Sequence, residues 1–101
     1  MVAAYSNPKI LEEHSMKFLC VLYSLAKGIL VRSFDSDKVF DGIKTTAFTD
    51  RELARAEIVQ HLQMQRQIEY DTTNNTVRLR QEGLNWAKGA CDKPPYLNYK
   101  Q

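Results

Sequence analysis

The chain has 101 residues, 44% of them hydrophobic and 26% charged, with a formal net charge of +2. That length supports one hydrophobic core, and the composition excludes extensive disorder. The small charge excludes attraction of a nucleic acid by overall charge, so such a partner must meet a local patch, or a dimer that doubles it.

Residues 1–9 lack the basic and apolar regions of a signal peptide. Asn7-Pro8 predicts a helix start, because Asn accepts from free first-turn amides and Pro is tolerated at the first helical position. Leu11, Phe18, Leu22 and Leu25 then share one face, while Met16, Leu19, Cys20 and Tyr23 extend the apolar surface around the cylinder. Gly28 fits a C-terminal cap. A helix this apolar needs cover on several sides. It is read as a central core helix or, alternatively, as a dimer interface in which Met16 and Tyr23 face a partner.

The most apolar run, 18–31, contains Lys27 and is too short to span a bilayer. The expectation is a cytoplasmic protein without membrane contact. Residues 29–34 suit either a strand, by their β-branched content, or a continuing helix. Asp35 or Ser36 can cap a short helix through Val39, Phe40 and Ile43, and residues 44–46 read as a turn.

Thr49 and Glu52 form the pattern of a capping box, with Phe48 and Leu53 as its hydrophobic staple. They predict a helix from Asp50 to about Gln67. Ala54, Ile58, Val59 and Leu62 point to one side of it, leaving Glu52, Ala56, Gln60, Gln63 and Gln67 on the other. Ile68 and Tyr70, then Val77 and Leu79, alternate with polar residues around a turn-forming stretch at 71–75, which predicts a β-hairpin. Residues 81–88 predict a short last helix ended by Gly89, and Pro94-Pro95 begins an extended tail with Tyr96 and Tyr99. The organisation is a single α+β domain over 1–90 and a tail over 91–101.

Ile58-Val59-Gln60-His61-Leu62, followed by Ile68-Glu69-Tyr70-Asp71 and Val77-Arg78-Leu79-Arg80-Gln81-Glu82-Gly83-Leu84, resembles the winged-helix variety of helix-turn-helix domain. The resemblance spans roughly residues 35–88 and rests on pattern. It implies a mainly helical winged helix-turn-helix fold, with the hairpin as wing and a short closing helix. Arg66-Gln67 stands where that family commonly has a Gly, and the short second helix contains Gly42.

On that frame the long helix enters the major groove of double-stranded DNA, and Gln60 and Gln63 pair with adenine edges. Arg78 and Arg80 grip phosphates beside it, with Arg51 and Arg55 near the helix start adding to the patch. The expected function is a small transcriptional regulator acting as a homodimer. The competing reading is a protein-interaction adaptor that keeps the frame without DNA, using the first helix or the aromatic tail residues Tyr96 and Tyr99. The weak net charge favours it, as do Glu52 and Glu57 on the long helix.

Cys20 and Cys91 lie in different segments without the dense spacing of a disulfide scaffold, and are expected as reduced thiols. His14 and His61 have no ligand set at metal spacing. No nucleophile elbow or phosphate loop is present, so neither catalysis nor a cofactor is expected. Asn74-Asn75-Thr76 matches a glycosylation sequon but is read as a turn.

Overall fold

The computed structural model describes residues 3–45, 48 and 50–99. The architecture is α+β, with helices α1 (Pro8–Ala26), α2 (Ser36–Asp41), α3 (Arg51–Met64) and α4 (Gln81–Ala90). Strands β1 (Ser33–Asp35), β2 (Ile68–Asp71) and β3 (Thr76–Leu79) form an antiparallel sheet in the order β1-β3-β2. Among the described residues no helix is long and apolar enough to cross a membrane.

Helix α1 starts where Asn7 accepts from the Lys9 amide at 2.9 Å, with Pro8 in the first turn. It ends in a left-handed Lys27, one residue before the expected glycine; Gly28 continues the turn at φ +79. Phe18, Leu19, Cys20 and Leu22 are each 0% exposed. Each fully buried Leu or Phe contributes about 1.5–3 kcal/mol, so this run is a major part of the core. The central-helix reading of α1 holds for these residues.

The ambiguous segment 29–34 turns and then enters β1, which pairs with β3 through Ser33↔Arg78, Phe34↔Val77 and Asp35↔Thr76. Strand β2 pairs on the other side of β3 through Ile68↔Leu79, Glu69↔Arg78 and Tyr70↔Val77. One face therefore carries Ile68, Leu79 and Val77 into the core, and the other carries Glu69, Arg78 and Ser33 to solvent.

Asp35 caps α2 by accepting from Asp37 N at 2.8 Å. At its end, a Cβ on Gly42 would lie 2.6 Å from Val21 Cγ1, so the glycine lets α2 sit against α1. The expected capping box at Thr49 falls on a residue outside the described set. The cap of α3 is instead Asp50, whose Oδ1 accepts from Leu53 N at 2.9 Å. The Phe48 ring packs on Tyr5 at 4.6 Å.

Helix α3 stops at Met64, short of the expected Gln67. Gln67 N reaches Leu62 O and Arg66 N reaches Gln63 O, a Schellman closure with Arg66 left-handed at φ 60. Gln67, expected on the exposed face, is 8% exposed. Its carbonyl accepts from Arg80 N at 3.0 Å and lies where a Cβ on Gly83 would come within 2.2 Å. The start of α4 is thereby held against the end of α3. Gly89 does not end α4, which runs on to Ala90.

Cys20 and Cys91 form a disulfide between the middle of α1 and the end of α4, correcting the expectation of reduced thiols. Their separation of 71 residues hid the pairing, which exists only because α4 packs on α1. Closing a loop of this size restricts the unfolded chain by an amount worth about 4 kcal/mol in the chain-entropy account. The residues after it do not run extended. They turn through Tyr96 N to Lys93 O and end in a 3-10 turn, Leu97–Tyr99, against α1.

Candidate nucleic-acid interface

Helix α3 presents Glu52, Ala56, Gln60 and Gln63 to solvent, on the face its periodicity predicts. The hairpin follows directly from its C-terminal end. Beside Gln60, a groove of about 180 Å³ is lined by Leu11, Glu57, Gln60, His61 and Met64, and Met64 is 77% exposed. His61 Nε2 lies 2.9 Å from Nε2 of Gln65, the residue that caps the helix.

The arginines divide by environment. Arg55, expected at the phosphates, is only 7% exposed and does not belong to a surface patch. Its Nη1 donates to Ser36 Oγ at 3.2 Å, and its Nε stands 2.8 Å from Asp37 Oδ1, an ion pair rather than a well-directed hydrogen bond. The network continues outward. Asn75 Oδ1 accepts from Ser36 Oγ and, at 2.7 Å, from the Tyr70 hydroxyl, while Asn75 Nδ2 donates to Asp37 Oδ2 at 3.0 Å. Arg55 is thus a strut that joins α3, through the start of α2, to the hairpin turn.

Arg51 is half exposed but ion-paired to Asp41, and its guanidinium lies 5.0 Å over the Phe40 ring. With Asp37, Phe40, Asp41 and Glu52 it lines a shallow depression of about 350 Å³ that is acidic overall. Arg78 is exposed and bound to Glu69 directly across the sheet, through its Nε at 2.9 Å and through Nη2. Arg80 is exposed and caps α4 with no side-chain hydrogen bond. Of the expected DNA residues, Gln60, Gln63, Arg51, Arg78 and Arg80 are exposed, and Arg55 is buried.

The hairpin turn is built by Asp71, whose Oδ1 accepts from Thr73 N at 2.9 Å and whose Oδ2 accepts from Asn74 Nδ2 at 2.9 Å. These bonds, the Asn74 side chain first, hold the Asp71 carboxyl below its usual range. The turn carries a negative charge and no cation.

Residues expected at a partner surface are mostly spent inside the chain. Met16 is 6% exposed in the main core, because neighbouring elements cover the face that a dimer would need. Tyr23 is half-buried against the disulfide, Tyr96 meets the Trp86 ring edge-on at 5.7 Å, and Tyr99 lies beneath Lys17 Nζ at 5.1 Å. Burial alone would lower the Lys17 pKa, but hydrogen bonds with Tyr99 and Glu13 raise it.

The sequence reading missed a clasp at the N-terminus. Glu57 of α3 accepts from the backbone amides of Ala4 and, at 3.3 Å, Tyr5. Tyr5 Oη sits 2.8 Å from His14 Nδ1, and Phe48 completes a ring cluster. Burial, then the Glu57 charge, raises the Tyr5 pKa; burial, then the Lys17 charge, lowers that of His14. Glu57 looked like a free acid on the helix surface, and no local pattern marks a backbone acceptor. No known family, curated protein or solved structure matches the chain significantly.

Proposed function

We propose that the chain is a winged-helix DNA-binding protein acting as a small transcriptional regulator. The observation that carries this is the exposed, uncharged pair Gln60 and Gln63 on α3, followed along the chain by a hairpin that carries exposed Arg78 and ends at exposed Arg80. The element order α1-β1-α2-α3-β2-β3 and the sheet order β1-β3-β2 support the winged-helix frame. In it, α3 lies in the major groove and its glutamines read base edges, while Arg80 and an Arg78 released from Glu69 bind phosphates. Fluorescence titration of a mixed-sequence duplex at low salt tests it. Binding weakens with salt, Arg80→Ala lowers the salt slope by about 1, and Gln60→Ala weakens preferred sites selectively. Absence of binding at low salt overturns the reading.

A second reading, a protein-interaction adaptor, is favoured by the state of the arginines. Arg55 is buried, Arg51 and Arg78 are ion-paired, and Asp37, Asp41 and Glu52 surround the start of α3. Met64 beside Leu11 then supplies the apolar contact. Met64→Glu separates the readings: it abolishes partner capture and leaves DNA affinity changed less than Arg80→Ala does.

A further inference from the structure

The disulfide sulfurs are among the least accessible atoms of the chain: Cys20 is 0% and Cys91 1% exposed. The two cysteines cluster with Ala87 of α4, and Tyr23, Trp86, Tyr96 and Tyr99, all only partly buried, pack against that cluster. Tyr96 and Tyr99 belong to the tail that follows α4: Tyr96 meets Trp86 edge-on, Tyr99 lies against Lys17, both rings pack on the core, and the backbone bonds Lys93 N to Ala90 O, Tyr96 N to Lys93 O and Tyr99 N to Tyr96 O each span three residues. Lys93, Pro94, Pro95 and Leu97 within the tail are exposed. A terminal turn whose backbone bonds are local can open at a free energy below that of global unfolding.

We propose that the tail is a latch over the Cys20–Cys91 bond, that a dithiol reductant reaches the bond only when the latch is open, and that reduction then loosens the tail against α1. The chemistry needs only a dithiol. Its thiolate attacks one cysteine sulfur, forming a mixed disulfide and expelling the other cysteine as a thiolate. The reductant's second thiol then displaces the first cysteine and closes the reductant's own disulfide. Two electrons pass from the dithiol to the protein bond, and the dithiol's protons end on the cysteines. Burial blocks the first step, since the attacking sulfur must contact a protein sulfur directly. After reduction the end of α4 and the tail beyond it are no longer tied covalently to α1, and non-covalent packing alone holds them there.

The full-length native chain is incubated with dithiothreitol, quenched with iodoacetamide, and followed by mass. Tyr96→Ala and Tyr99→Ala speed reduction about tenfold or more, while the unfolding rate extrapolated from denaturant changes far less. Lys17→Met, which leaves the rings in place, gives a smaller acceleration and serves if the tyrosine variants fail to fold. In the wild type, chymotrypsin cleaves after Tyr96 faster once the bond is reduced. Reduction at the global unfolding rate in every variant overturns the proposal. So does native reduction as fast as that of oxidised glutathione, or cleavage after Tyr96 that is equal in both redox states.

Discussion

Asn75 donates its side-chain amide to Asp37 across 3.0 Å, tying the hairpin turn to the first turn of α2. The same residue is left-handed at φ 55 and accepts from Ser36 and Tyr70. Asn75→Ala therefore loses bonds and meets a backbone penalty, and is expected to destabilise by about 2–4 kcal/mol. Asn75→Gly removes only the bonds and falls between it and wild type. Urea denaturation of both separates the contributions.

Gly83 and Gly89 lie on the same helix in opposite surroundings. A Cβ at Gly83 would meet Gln67 O at 2.2 Å, whereas nothing stands within 4 Å of one at Gly89. Gly83→Ala is expected to cost about 2 kcal/mol or more by prising α4 from the end of α3. Gly89→Ala is expected to stabilise by about 0.5–1 kcal/mol. Thermal melts of the pair check the contrast, and equal effects would contradict the described seam.

Arg55 and Arg80 were equivalent expectations at a phosphate surface, and the structure makes them opposites. Arg55→Ala removes the cation from Ser36 and Asp37, which keep only Asn75 of this network, and is expected to cost about 1–3 kcal/mol, an amount limited by the solvent exposure of Asp37. Arg80→Ala is expected to stay within about 0.5 kcal/mol of wild type. Denaturant midpoints measure both, and a loss of DNA affinity in Arg80→Ala at unchanged stability isolates a contact effect.

The clasp at Tyr5 gives stability a pH window. His14 titrates below its ordinary value of 6.5 in the folded chain, so the unfolded chain takes the proton first. Its contribution is full above that value and is lost as pH falls through it and below. Tyr5 has the opposite sign: its pKa lies above the ordinary 10.0, so its contribution is full below 10.0 and is lost as pH rises beyond. A melting-temperature profile is expected to be flat between these limits, and His14→Gln, which keeps an acceptor for Tyr5, to flatten the acid limb.

The elements legible in the sequence are those with local causes. Asn7-Pro8 starts a helix, the 3.6 period of α3 separates its buried and exposed faces, and Asp71 builds its turn from neighbours. Arg55 shows why the site was less legible. Its place on the helix circle is ambiguous, and only the packing of α2 brings Ser36 and Asp37 over it. Arg66 misled in another way, because a glycine is the usual mark of a left-handed helix end and the Schellman bonds form here without one. The disulfide had no local signature at all, and no local pattern marks the contacts of Tyr96 with Trp86 and of Tyr99 with Lys17.

The covalent closure from Cys20 to Cys91 also fixes how the molecule carries load. If the segments before Cys20 and after Cys91 are pulled apart, tension enters α1 before Cys20, crosses the sulfur bridge, and leaves through the tail after Cys91. Helix α3 and the hairpin lie on the shielded side of that path, so stretching extends only the flanking segments while the bridge is intact. A processive unfolding machine would meet a knot-like obstacle at the bridge, and the surface bearing Gln60 and Arg80 would be the last part of the chain to feel the pull.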